Sequence, residues 1–176
     1  LGFMFTFGVI LFVGGAGVAG CIVWKASEDL PDYETLANYE PDVLTRIHAS
    51  DGRLIGEYGE QKRIFLPINA IPPRVIHAFI AVEDQHFYEH NGIDVWGILR
   101  AGSKFVENKI SGSKKRPEGA STITQQVAKN LLLSSKDEKA PDTIERKIKE
   151  AILAVRIENA FSKNKILELY LNAILF

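Results

Sequence analysis

The sequence has little of several features that would define a protein class. It contains a single cysteine, Cys21, so no internal disulfide can form and cysteine usage does not indicate a redox compartment. The formal net charge is −1, and the basic residues occur in local clusters, which argues against nucleic-acid binding. No internal repeat is visible. With 176 residues, the chain has room for one domain of about 100–150 residues and an appendage.

Charged residues are also missing from residues 1–24. A helix of that length would be about 36 Å long, enough to cross a hydrocarbon core of about 30 Å. Trp24 and Lys25 close the segment and suit a membrane–water interface. A buried core helix is the alternative, but such helices are usually shorter and amphipathic. We therefore predict a transmembrane helix over residues 1–24 and an acidic juxtamembrane linker over residues 25–42.

A β-hairpin is predicted within residues 43–70. Two short extended runs, at 44–48 and 53–58, flank the turn sequence Ser-Asp-Gly at 50–52. The run at 62–66 is a candidate third strand.

The remainder, residues 71–176, is predicted to be almost entirely helical. Pro72 and Pro73 suit a helix start, and Asp94 can cap the next helix. Thr122 and Gln125 fit a capping box for a helix that continues to Leu133. Residues 108–118 are predicted to be a flexible basic loop. A long helix is then expected from Pro141, with apolar residues every three or four positions.

Four segments of this helical part hold more polar and ionisable side chains than folding requires. They are EDQHFYEHNGID at 83–94, GASTITQQVAKN at 119–130, ERKIKE at 145–150 and KNKILELYLN at 163–172. Side chains of these types suit glycosyl transfer to a sugar hydroxyl, in which a base takes the hydroxyl proton. Glu83 is the better base candidate, because it follows an apolar helix that would desolvate it. Asp84 is expected to brace the turn. A solvent-facing carboxylate at the helix end is the alternative for Glu83.

The leaving group distinguishes a transferase from a hydrolase. A glycosidase expels an alkoxide and needs a protonated acid beside a second carboxylate. A diphosphate is stable as an anion and needs cations instead, which Lys129, Arg146 and Lys147 could supply. Arg146 and Lys147 share a helix face with Glu150, at spacings of four and three. An ordinary surface ion pair is the alternative there.

In this order, the four segments resemble the motifs of the family 51 peptidoglycan glycosyltransferases, the polymerising domain of class A penicillin-binding proteins. The resemblance extends from about Pro72 to the last residue. It implies that Glu83 is the base acting on the acceptor 4-hydroxyl and that Glu150 is the second catalytic carboxylate. The substrate-binding residues predicted from the motifs are Asp84, Phe87, His90, Ser121, Thr122, Gln125, Gln126, Lys129, Asn130, Arg146 and Lys147.

The resemblance further implies a mainly α-helical, lysozyme-like fold with a mobile jaw at about 108–118, in a domain that is incomplete at Phe176. The hairpin region resembles the bifunctional 1A-type enzymes, so we expect the front part of a longer protein. The implied reaction polymerises lipid II into β-1,4-linked glycan and releases undecaprenyl diphosphate. It would be assisted by Mg²⁺ or Mn²⁺, with Glu150 as a candidate ligand through the substrate diphosphate.

The implied location is the bacterial cytoplasmic membrane, with one span and the catalytic domain on the outer side. Expected partners are lipid II, the growing glycan chain and membrane lipids, with other cell-wall synthesis proteins as candidates. Two alternatives remain open at this point. One is a non-catalytic, membrane-anchored scaffold for cell-wall assembly, and the other is a lysozyme-like enzyme that cleaves glycan.

Overall fold

A computed structural model describes residues 2–28, 30–39, 45–58, 65–112, 119–133 and 144–174. These residues form six α-helices, two β-strands, two short 3₁₀ turns and one π-helical segment. In chain order they are α1 Gly2–Glu28, a 3₁₀ turn Tyr33–Asn38, β1 Thr45–His48, β2 Leu54–Tyr58, a 3₁₀ turn Ile68–Ala70, α2 Pro73–Glu83, α3 Val95–Ile110, α4 Ile123–Val127, a π-helix Ala128–Leu133, α5 Ile144–Ala160 and α6 Lys163–Ile174. The predicted mainly α-helical class with a small hairpin is confirmed.

Helix α1 is the candidate membrane span. Its stretch Thr6–Glu28 is long and apolar enough to cross a bilayer, and its most apolar window is not buried against the rest of the chain. The helix continues four residues past the predicted end at residue 24, so the linker predicted from residue 25 begins inside a helix. Ala26, in the last turn, is buried, and α1 contacts α5. The end of the candidate span is therefore packed against the domain.

The segment after α1 also belongs to the fold. Asp32 caps the 3₁₀ turn Tyr33–Asn38 by accepting a hydrogen bond from the backbone N–H of Glu34. This turn inserts Leu36, which is only 2% exposed, into the hydrophobic core. The prediction of a plain linker over residues 25–42 missed this anchor, because a single leucine in an acidic stretch has no periodic pattern.

The predicted hairpin is present. Strands β1 and β2 pair antiparallel, with Thr45 opposite Tyr58 and Arg46 opposite Glu57, whose side chains form an ion pair at 2.9 Å. In the connecting turn Gly52 has a φ of +83°, which a residue with a side chain rarely adopts. Hydrogen bonds from the backbone and side chain of Arg53 lower the pKa of Asp51. The third candidate strand lies partly outside the described residues, and its described part, 65–66, is not a strand.

The core surrounds α4, the short helix of the second motif. Ile123 and Val127 of α4 are fully buried and lie against the buried faces of α5 and α6. Those faces follow the helical period of three to four residues. Their fully or nearly fully buried apolar residues are Leu153, Ala154 and Ile157 of α5 and Ile166, Leu167, Leu169, Tyr170 and Leu171 of α6. The central position of α4 fixes the second motif relative to the other three.

The predicted helix boundaries have different outcomes. Helix α3 runs to Ile110, so residues 108–110 of the predicted loop are helical, and residues 113–118 lie outside the described part. The helix after Thr122 does reach Leu133, but from Ala128 it is π-helical. Helix α5 is described from Ile144, and its predicted start at Pro141 lies outside the described residues.

Candidate active site

The adjacent carboxylates Glu83 and Asp84 face different environments. Helix α2 ends at Glu83, whose exposed side chain accepts a hydrogen bond of 2.8 Å from Gln126 Nε2. The apolar surroundings predicted for Glu83 are therefore wrong, because the helix end directs this carboxylate into a polar cleft. Asp84 is only 6% exposed. The pair thus separates into an accessible carboxylate and a buried one.

Asp84 holds the first motif to the second, as predicted for a bracing residue. Its carboxylate accepts a hydrogen bond of 3.0 Å from the backbone N–H of Ile123, at the start of α4. It also bonds to His90 Nε2 at 2.9 and 3.0 Å. Since His90 Nδ1 accepts from the backbone N–H of Gly92, a neutral ring must carry its proton on Nε2 and donate it to Asp84.

The first-motif loop, residues 84–94, contacts the backbone of α5 at a glycine. Gly92 has a φ of +90°, and a Cβ there would lie 2.7 Å from the backbone carbonyl atoms of Ala154. Only glycine permits this approach. The carbonyl oxygen of Gly92 accepts a 2.7 Å hydrogen bond from Thr122 Oγ1. Thr122 and Gln125 also form the predicted capping box, which is therefore confirmed.

Glu150 is the centre of a buried charge cluster. Its side chain is 1% exposed and receives Lys147 Nζ at 2.6 Å and Arg146 Nε at 3.2 Å. Lys147 Nζ also reaches Ser121 Oγ at 3.4 Å, which joins the third motif to the second. With two cations and one carboxylate, the cluster has a formal net charge of +1. The surface ion pair considered as the alternative does not apply, because Glu150 is buried.

A cleft of about 450 Å³ lies beside Glu83. Glu83 and Asp84 line one side, and the start of the second motif, residues 119–122, lines another. Helix α3 adds two cations, Arg100 and Lys104. These two were not among the predicted site residues. Their spacing of four residues places them on one face of the predicted helix, and this spacing is the sequence feature that could have indicated them.

The fourth motif contributes one buried tyrosine near Glu83 and Asp84 and two residues that hold a neighbouring segment in place. Burial, followed by the negative charges of Glu83 and Asp84, raises the pKa of Tyr170 to about 12, so its hydroxyl stays protonated. Glu168 and Asn172 bind the segment before α2: Glu168 accepts from the backbone N–H of Ile68, and Asn172 bonds both backbone groups of Leu66.

The other predicted substrate-binding residues divide by exposure. Lys129 and Asn130 are exposed on the π-helical turn, and Gln126 is partly buried beside Glu83. Phe87 is fully buried, and Asp84, Thr122 and Gln125 are used in contacts within the fold. These buried residues position the cleft, and direct substrate contact through any of them stays a prediction.

A second, partly buried ion pair was not anticipated. Lys163 Nζ donates to Glu158 Oε1 at 2.8 Å and to the carbonyl oxygen of His90 at 2.7 Å, and lies 4.4 Å from the Phe87 ring centre. The same Glu158 oxygen accepts from Thr124 Oγ1 at 2.6 Å. Lys163 lies 73 residues from His90 in the sequence and Glu158 lies 34 residues from Thr124, so no local pattern connects them.

Comparison with known proteins identifies the family. The family model described as Transglycosylase matches residues 51–176. The chain belongs to the transglycosylase family. It is 48% identical over 168 residues to penicillin-binding protein 1A of Rickettsia conorii, covering 96% of this chain and 20% of that protein. It is 44% identical over 172 residues to penicillin-binding protein 1A of Neisseria lactamica, covering 98% of this chain and 20% of that protein. The chain thus spans about a fifth of the length of these curated relatives.

Membership of the transglycosylase family confirms the resemblance to the glycosyltransferase domain of class A penicillin-binding proteins. It also confirms the lysozyme-like fold class and the expectation of an enzyme of the peptidoglycan glycosyltransferase type. The non-catalytic scaffold is correspondingly disfavoured.

Proposed function

We propose that the protein containing this chain polymerises lipid II at the outer face of the cytoplasmic membrane, with Glu83 as the general base. The observation that carries the proposal is the pairing of an exposed carboxylate in a cleft with a cation-rich cluster that meets the same cleft at Ser121. The first can take a proton and the second can receive an anionic leaving group.

In the proposed reaction, Glu83 removes the proton from the 4-hydroxyl of the acceptor sugar. The hydroxyl oxygen forms a bond to C1 of the donor sugar, on the face opposite the diphosphate. The bond between C1 and the diphosphate oxygen breaks, and its electron pair leaves with undecaprenyl diphosphate. Inversion at C1 produces the β-1,4 linkage. Gln126 orients the Glu83 carboxylate through its 2.8 Å hydrogen bond.

The cations stabilise the departing diphosphate. Lys147 and Arg146 contact Glu150 on one side, and Lys129 is exposed on the neighbouring turn. The charge balance favours transfer over hydrolysis, because a glycosidase needs a protonated acid for its leaving group. Glu150, contacted by two cations, is poorly suited to that role.

A divalent cation would have to be held mainly by the diphosphate itself. Among the described residues no group of three or more His, Cys, Asp or Glu side chains could hold a metal ion. Both Glu150 oxygens are in contact with cationic side chains, so the residues present do not form a protein-only metal site. Assistance by Mg²⁺ or Mn²⁺ stays a proposal, and no step depends on it.

Location at the membrane is supported by two helices. Helix α1 is the candidate span, and α3 exposes apolar side chains along its length, including Trp96 at 79% and Ile110 at 83%. A catalytic domain whose substrates carry lipid tails would use both contacts. The outward orientation and the identity of any protein partners are proposals on the same footing.

Polymerisation of labelled lipid II by the full-length protein tests this function. Lys147→Met should lower the rate by about 10²-fold or more, because it removes a charge-assisted contact to the leaving group. Lys149→Met is the matched control on the same helix, since Lys149 pairs only with the exposed Glu145 among the described contacts. Equal losses for the two variants would contradict the role of Lys147, and no polymer from the wild type would contradict the function.

A further inference from the structure

A second concavity adjoins the cleft and is lined by apolar residues. Its volume is about 940 Å³. Helix α5 contributes one long wall, and Ile98 of α3 and Val23 of α1 contribute others. The apolar residues of the α5 wall are Ile144, Ile148, Ala151, Ile152 and Val155, and Lys147 and Arg156 of the same helix also line it. At 1.5 Å per residue this wall is about 16 Å long.

The groove contains apolar side chains that the described part of the chain leaves uncovered. Ile144 is 82% exposed, and Val23, Ile98 and Val155 are each at least one-third exposed. Contiguous exposed apolar surface of this kind usually marks a binding site. The helical period places these residues on one face of α5, next to the face that carries Lys147 and Glu150.

The groove and the cleft share a wall. Ala120 and Ser121 line both, and Lys147, which contacts Ser121 and Glu150, lines the groove. A ligand could therefore place a sugar beside Glu83, an anionic group beside Lys147 and a hydrocarbon chain along α5. The participation of Val23 connects the far wall with the candidate membrane span.

We propose that this groove, the α1–α5 groove, holds the first isoprene units of the donor's polyprenyl tail as the tail passes from the diphosphate site to the bilayer. The inference rests on the proposed function, because it takes a polyprenyl diphosphate as the donor's lipid part. It assigns the tail to the protein surface rather than to the bilayer alone. The ligand class matches the lining: a long apolar chain attached to a doubly charged anion next to Lys147.

The test compares two probes, geranylgeranyl diphosphate and inorganic diphosphate, binding to the full-length protein in detergent by titration calorimetry. The wild type should bind the prenyl probe at least about tenfold more tightly, since each buried methylene contributes a factor of about four. Ala151→Phe fills the groove and should abolish this gain, while binding of inorganic diphosphate changes by less than about twofold.

Two further variants separate groove filling from misfolding. Ala160→Phe makes the same change at an exposed position of α5 outside the groove and should retain the full prenyl gain. Ile144→Asn alters a side chain that is 82% exposed, so it should not disturb the fold, and it should reduce the gain about threefold. A gain that is the same in wild type, Ala151→Phe and Ile144→Asn would overturn the proposal.

Other outcomes identify a different occupant or a different failure. If phosphatidic acid shows the same Ala151-dependent gain, the groove binds bilayer lipid in general and the proposal is overturned. Lipid II polymerisation is measured separately. If the protein forms polymer but binds geranylgeranyl diphosphate no more tightly than inorganic diphosphate, only the groove proposal is contradicted. If it binds the prenyl probe more tightly but forms no polymer, the proposed function is contradicted and the groove proposal stands.

Discussion

At the scale of single residues, side chains that adjoin in sequence have different environments and roles. Glu83 and Asp84 adjoin in sequence, yet one is exposed in the cleft and the other is buried against His90 and Ile123. The sequence predicted the bracing role of Asp84 and the accessible alternative for Glu83. It could not supply Gln126 as the partner of Glu83, because that contact depends on how α4 packs against α2.

Tyr170 provides a prediction about pH. Its pKa of about 12 exceeds the ordinary value of 10.0, because burial and the charges of Glu83 and Asp84 disfavour the tyrosinate. A raised folded-state pKa contributes stability that is present below pH 10 and is lost as pH rises through 12. The stability difference between wild type and Tyr170→Phe should be constant up to about pH 9. It should then shift against the wild type by on the order of 2 kcal/mol by pH 12.

Urea unfolding at a series of pH values measures this difference, and taking the difference between the two proteins cancels the titration of other groups. A difference that is flat from pH 8 to pH 12 would mean that neither burial nor the two carboxylates raise the pKa of Tyr170 in the folded protein.

At the scale of elements, periodicity and caps predicted most helices and the hairpin. Pro73 begins α2, Asp94 caps α3, and Thr122 with Gln125 starts α4. Contacts between distant elements were not predictable. The hydrogen bonds of Lys163 to Glu158 and to the His90 carbonyl oxygen join α6 to α5 and to the first-motif loop. These contacts exist only after the helices have packed.

Lys163→Met should therefore loosen the first-motif loop. Lys163 is 22% exposed and Thr124 still donates to Glu158 in the variant, so the lost contact should cost on the order of 1–3 kcal/mol. Hydrogen–deuterium exchange in residues 84–94 should accelerate in this variant. Lys165→Met, two residues along the same helix, is the control, since Glu168 still accepts from the backbone N–H of Ile68. Similar exchange in both variants would show that Lys163 does not hold the loop.

At the scale of the whole molecule, two apolar surfaces besides the α1–α5 groove have no cover within the described residues. One is the side of α1 and the other is the outer side of α3, where Trp96 and Leu99 are exposed. The charge-free run of residues 1–24 predicted the first. For α3 the sequence predicted a helix but not an exposed apolar surface. Its apolar residues could equally have been core residues, and only the packing of the helix distinguishes the two.

If α3 rests on the membrane, Trp96→Glu should lower the rate on bilayer-presented lipid II about tenfold, since a large apolar side chain contributes about 1.5–3 kcal/mol on burial. A short-tailed substrate in detergent should respond less. Tyr58→Glu introduces the same charge at an exposed aromatic residue of the hairpin and should leave both rates unchanged. Equal losses on both substrates for Trp96→Glu would assign Trp96 to the fold rather than to the membrane.

The most direct test of the central claim is the rate of lipid II polymerisation by full-length Glu83→Gln. The amide is nearly isosteric, and its oxygen can still accept the hydrogen bond from Gln126, but it cannot take the acceptor proton. The rate should fall by about 10²–10⁴-fold. The control is Glu89→Gln, at an exposed position in the same loop, which should retain its activity. A Glu83→Gln enzyme that keeps more than about a tenth of the wild-type rate would contradict Glu83 as the general base.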